Sequence, residues 1–93
     1  MIVPFNSEET AKIWAGDVSR KLPRDIQRAA QRKLEILNAA IDVTDLRTPP
    51  GNRLELLKGS RAGQYSIRIN EQWRLCFVWH DNNAHNVEIV DYH

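Results

Sequence analysis

The chain has a single cysteine, Cys76, which excludes an intrachain disulfide and a thiolate metal cluster. Packing alone must therefore hold the core. No apolar run approaches the roughly 20 residues that span a bilayer. The first residues, MIVPFNSEET, lack the basic start and apolar stretch of a secretion signal. A cytoplasmic protein with no membrane partner is expected. Neither a glycine-rich phosphate loop nor a nucleophile elbow is present, and there is no internal repeat, low-complexity tract or linker. What remains, 93 residues with 42% hydrophobic and 27% charged side chains, suits one compact domain over residues 1–93 and argues against disorder.

A net charge of +1 suggests no special partner, but the charge is segregated. Residues 20–34 carry six basic side chains (Arg20, Lys21, Arg24, Arg28, Arg32, Lys33) against Asp25 alone. Residues 50–79 carry five (Arg53, Lys58, Arg61, Arg68, Arg74) against Glu55 and Glu71. The acids collect at both ends and in residues 35–49. Such local excess can attract a polyanion although the total is near neutral.

The hydrophobic period divides the chain at Thr48-Pro49-Pro50-Gly51-Asn52. Before it, Ser7 is a plausible N-cap for a short helix carrying Ile13 and Trp14, with Gly16 as its stop. Pro23 suits the first turn of a second helix. There Ile26, Ala30, Leu34, Leu37 and Ile41 form the buried stripe, while Arg24, Arg28 and Arg32 line another face. After the prolines the period becomes two. Leu54 and Leu56 begin a strand, and Gly59 and Gly63 bracket a turn. If Asn70-Glu71-Gln72 is a hairpin loop, Ile69 faces Trp73, Ile67 faces Leu75 and Tyr65 faces Phe77. Asp81-Asn82-Asn83 is a second turn, and residues 86–90 form the last strand. The expected fold is α+β: two helices, then a largely antiparallel sheet of about four strands.

The same register sets Arg68 opposite Arg74 on the face away from the core. Like charges across a sheet repel, so either an anion joins them or each pairs with a carboxylate such as Glu55 or Glu71. Lys58, at a strand end before Gly59, can project over that face, although most lysines are solvated surface groups. The Arg24, Arg28 and Arg32 stripe is either a solvated helix side or a phosphate-docking surface. The tail Asp91-Tyr92-His93 gathers a carboxylate, a phenol and an imidazole. Chain ends usually fray, but histidine is well suited to proton transfer near neutral pH and an adjacent carboxylate can orient it. His80 and His85 lack the spacing of a zinc site and read as surface residues. No metal or cofactor is expected.

Taken in order, Leu56-Leu57-Lys58-Gly59, Arg61, Gly63, Ser66-Ile67, Asn70, Trp73-Arg74-Leu75 and Asp91-Tyr92-His93 resemble the HigB plasmid-maintenance toxins of the RelE-like superfamily. The resemblance spans nearly the whole chain and implies a RelE-like fold. It further implies metal-independent endoribonucleolytic cleavage of mRNA in the A site of the 70S ribosome, which would inhibit translation. Lys58 and Arg74 would be the catalytic cations, and Asp91, Tyr92 and His93 the proton carriers, with Tyr92 alternatively stacking on a base. RNA contacts would come from Arg68, Arg61, Arg24, Arg28 and Arg32. Some family members carry histidine where this chain has Glu55, so Glu55 either moves protons itself or leaves that work to His93. The resemblance also implies a helix-turn-helix antitoxin of the HigA type that binds the toxin and represses their operon, so that operator DNA is met only through the antitoxin. Exposed aromatic or apolar residues of the first helix are candidates for that interface. Two other readings are a ParE-like gyrase inhibitor without nuclease activity and a non-catalytic RNA-binding module. The terminal Asp91-Tyr92-His93 cluster favours the enzyme, since neither alternative requires acid-base groups beside paired cations.

Overall fold

Ser7 starts the first helix, α1 (Glu8–Trp14): its extended backbone leaves its hydroxyl free to accept the Thr10 N–H at 3.3 Å. Glu8 and Glu9 in the first turn complement the positive helix end. Gly16, at φ +89°, turns the chain out after it. The computed structural model describes residues 1–91 and holds two helices followed by a four-stranded sheet; Tyr92 and His93 lie outside the described residues.

The connection to the second helix is locked by side chains. Buried Ser19 donates its hydroxyl to Glu9 at 2.6 Å and accepts the N–H groups of Lys21 and Leu22. Gln27 accepts the Ser19 N–H and donates to the carbonyls of Ser19 and Leu22. Helix α2 (Arg24–Ala39) begins immediately after Pro23, one residue later than expected. Ile26, Ala30, Leu34 and Leu37 are buried as the spacing predicts. Ile41 is not: it is 75% exposed, because the helix ends at Ala39 and Ala40 turns to extended backbone. Two short 3-10 turns, Val43–Arg47 and Pro50–Asn52, then cross to the sheet. Asn52 fixes this crossing. It is fully buried, donates to the carbonyls of Leu46 and Thr48, and accepts from the Lys33 ammonium of α2.

The strands are β1 (Glu55–Leu56), β2 (Tyr65–Arg68), β3 (Trp73–His80) and β4 (Asn83–Asp91), arranged in sequence order with antiparallel neighbours. The β2–β3 register is the one expected: Tyr65 with Phe77, Ile67 with Leu75, Arg68 with Arg74. Asn70 sets that hairpin by accepting the N–H groups of Gln72 and Trp73, both at 2.8 Å. The next turn is tighter than expected. Asp81 and Asn82 both take positive φ, as two-residue hairpin turns require, and Asn83 already pairs with His80. The last strand therefore starts before Asn86. A bulge opposite Cys76 and Val78, with Asn86 at φ +53°, interrupts the alternation and hides this earlier start.

β1 is shorter than the leucine alternation suggests: Leu56 is exposed, while Leu57 just beyond the strand is buried. The N-terminal segment was not anticipated as strand-like. Ile2 and Phe5 form parallel bridges to Ala84 and Val87, which covers the edge of β4. The core lies between the helices and one sheet face, where Leu34 and Leu37 meet Ile67, Leu75, Phe77 and Val87. Fully buried Thr10 ties α1 to β4 by accepting the Ile89 N–H at 3.0 Å.

Candidate functional site

Because side chains alternate along a strand, the residues that skip the core share the opposite face. Register across the sheet places Glu55, Ser66, Cys76 and Glu88 in one row of that face, and Arg68, Arg74 and Val90 in the next. Arg74 is held most firmly. Its Nη1 donates to Ser66 Oγ at 3.2 Å and the Arg53 carbonyl at 3.4 Å, and lies 3.6 Å from Glu55 Oε1. Only 13% of its side chain is exposed. Arg68 Nη2 is 3.9 Å from Glu71 Oε1, whose side chain is 95% exposed. Both arginines thus have carboxylate neighbours, the structural pairing that the sequence left open beside the anion site. The Arg68 pair is long and solvent-washed, and such pairs contribute little, so an incoming anion can displace it.

Lys58 is exposed at the start of a 3-10 turn, Gly59–Arg61, and forms no ion pair with any described residue. Arg61 has two partners within the chain: its Nη1 donates to Glu88 Oε1 at 2.8 Å and Gln64 Oε1 at 3.0 Å. The Glu88 bond favours the charged guanidinium and pushes its pKa up. Cys76 is fully buried, and burial pushes its thiol pKa up, which keeps it protonated and unreactive.

Of the tail, only Asp91 lies within the described residues. Val90, not Asp91, sits opposite Arg74; Asp91 registers with Trp73, on the core side of the sheet, and accepts a hydrogen bond from Gln72 at 3.1 Å. The expectation that Asp91 shares the Arg74 face is corrected by this alternation. Tyr92 and His93 lie outside the described residues. Nor does the fold unite the helical arginines with Arg74. Arg24, Arg28 and Arg32 are exposed on α2, which packs on the other face. Trp14 is half-buried against the core, with its ring 6.5 Å from Phe5, rather than presented as a free aromatic. His80 and His85 sit at the far hairpin, six residues or about 20 Å along β3 from Arg74. His85 contacts the His80 carbonyl and His80 contacts Asp81, consistent with surface residues.

Sequence reasoning missed Ser66 and Glu88 as members of the site. Ser66 was legible in principle, since it lies two residues from Arg68 on the same face. Glu88, between buried Val87 and Ile89, was legible on the same ground, but its partner Arg61 was not.

Comparison with known proteins agrees with this architecture. A family model described as the RelE-like toxin of type II toxin-antitoxin system HigB matches residues 5–93. The chain is 54% identical over 87 residues to Toxin HigB-1 of Vibrio cholerae serotype O1, covering 92% of each chain. It is 28% identical over 94 residues to Endoribonuclease HigB of Proteus vulgaris, covering 100% of both. The fold is also similar to that seen in a YoeB-YefM complex from Staphylococcus aureus, with a TM-score of 0.55 at 19% identity over 94% of this chain and 91% of that one. With its fold, its residue pattern and a family match along nearly its whole length, the chain belongs to the HigB family of RelE-like toxins of type II toxin-antitoxin systems.

Proposed function

We propose that this toxin is a ribosome-dependent mRNA endoribonuclease that works without a metal and is neutralised by a HigA-type antitoxin. The observation that carries the reading is Arg74. A guanidinium held by Ser66, Glu55 and the Arg53 carbonyl, across the strand from Arg68, is pre-oriented to receive a phosphodiester. The name of the Proteus vulgaris relative supports RNA as the substrate.

In the proposed reaction a base removes the ribose 2′-hydroxyl proton and the oxygen attacks the adjacent phosphorus. Arg74 and Lys58 stabilise the pentacoordinate anion, with Arg68 assisting. The bond to the 5′-oxygen breaks as an acid protonates it. Tyr92 and His93 are the proton carriers implied by the family resemblance. Glu55, beside Arg74, is a further candidate base, since the family resemblance implies a histidine at its position in some members. Asp91 acts from the neighbouring position on β4, through the tail. Proton transfer by a placed group contributes about 10² to 10⁴ in rate. Arg24, Arg28 and Arg32, on the other side of the sheet, dock ribosomal RNA, where each phosphate contact adds salt-sensitive affinity. In this scheme operator DNA is met only through the antitoxin.

The test is 5′-end mapping of transcripts after induction of the wild type and of His93→Ala. New 5′ ends within codons are expected for the wild type and none for the variant, with antitoxin binding retained by both. Growth arrest by the wild type without new transcript ends would refute the nuclease and favour a gyrase target.

A further inference from the structure

The loop that carries Lys58 is fastened to the far side of the sheet by one ion pair. Leu57 N–H to the Gln64 carbonyl, at 2.8 Å, is the last backbone bond before the loop, and Gly59 and Gly63 both take positive φ within it. From its middle, Arg61 reaches to Glu88 on β4, past β2 and β3. Glu88 is in register with Cys76, which is in register with Ser66. The guanidinium therefore lies across the open face, and the full burial of Cys76 beneath it is the mark of that cover. Glu88, like Glu55 at the other end of its row, puts a carboxylate on this face, where it repels phosphate unless a cation neutralises it.

We propose that Glu88 is a positioning residue: it anchors Arg61, and through Arg61 holds the Gly59–Arg61 turn and adjacent Lys58 over the sheet within reach of the Arg74 site. This rests on the nuclease reading above. Arg61 is then a strap and not an RNA contact. An ion pair that keeps a third of its arginine in solvent contributes modestly to global stability, so the larger effect is local. It falls on the placement of a catalytic cation, where a displacement of about 1 Å can reduce rate on the order of 100-fold.

The test compares Glu88→Ala, Glu88→Gln, Arg61→Ala and the Arg61→Ala/Glu88→Ala double variant with the wild type. Cleavage of ribosome-bound mRNA and amide hydrogen exchange at residues 59–62 are measured for each, with Arg74→Ala as a reference. Glu88→Ala is expected to lower kcat by about 10- to 100-fold with KM nearly unchanged, and to speed exchange in the turn but not in β3. Glu88→Gln, whose amide oxygen still accepts from Arg61, restores most of the rate. The double variant is no slower than either single one, as expected of two residues acting through one contact. Unchanged exchange in Glu88→Ala overturns the strap. So does a Glu88→Ala enzyme that cleaves as fast as the wild type, or faster with a lower KM, while Arg61→Ala is slowed; that pattern would make Arg61 a direct RNA contact. If Arg74→Ala also cleaves normally, it is the Arg74 site that fails, and the exchange data still decide whether the strap exists.

Discussion

The two faces of the sheet bury comparable residues by opposite means. On one, Leu75, Ile67 and Phe77 are sealed by the apolar stripe of α2. On the other, Ser66 and Cys76 are equally inaccessible, but their surroundings are polar and charged: Arg74 with Glu55, and Arg61 with Glu88. The difference teaches where stability ends and function begins. Apolar burial is non-directional and accounts for most of the folding free energy. Ion pairs that stay partly open to solvent contribute less, and their directional contacts fix where the cations stand.

Adjacent residues on β3 expose the contrast most sharply. Leu75→Ala should destabilise by about 2–5 kcal/mol through lost burial and a cavity, a large share of the roughly 5–15 kcal/mol a small domain possesses. Urea unfolding would show it, and cleavage and antitoxin binding should fall together. Asn52→Ala comes next, since it strands the Lys33 ammonium and the carbonyls of Leu46 and Thr48; a loss of about 1–3 kcal/mol is expected by the same assay. Cys76→Ser should cost less, about 1 kcal/mol, because a hydroxyl replaces a thiol of similar size among polar neighbours. A loss as large as that of Leu75→Ala would break the distinction between the faces.

The smallest effect is electrostatic and lies away from both faces. The Ser19 hydroxyl, and then Lys12, hold the Glu9 carboxyl below the usual carboxylate range. A depressed folded-state pKa stabilises above the unfolded value and is lost as pH falls through the folded one. Wild type should therefore exceed Glu9→Gln in thermal stability at neutral pH, and the two should converge in the acid range. A constant difference across that titration would contradict the assignment.

These contrasts also explain what could be read without coordinates. The core face was legible because burial writes itself into spacing: four residues of the α2 stripe and two β2–β3 pairs, Tyr65–Phe77 and Ile67–Leu75, follow from period and hairpin length. The stripe failed at Ile41, where the helix stops and spacing no longer reports a face. The N-terminal pairing escaped because a proline-containing segment of five residues lacks alternation, and Pro4, having no N–H, fits beside an edge. On the open face, the Arg68–Arg74 pair followed from the register. Glu55 and Glu71, the carboxylates beside that pair, were among the partners the sequence offered. The Arg61–Glu88 pair was not, since it joins residues 27 apart. Asp91 was grouped with the tail and not read from the pleat, where pairing with Trp73 sets it on the core face.

The proposed role of Arg74 as the phosphate-stabilising cation of the open face is measured most directly with Arg74→Ala, assayed in parallel for cleavage of ribosome-bound mRNA and for thermal unfolding. Cleavage is predicted to fall on the order of 10² to 10³-fold, while loss of the contacts to Ser66 and the Arg53 carbonyl costs about 1–3 kcal/mol and leaves the protein folded. Wild-type cleavage by a folded Arg74→Ala protein, or a loss of activity matched by an equal loss of folding, would contradict it.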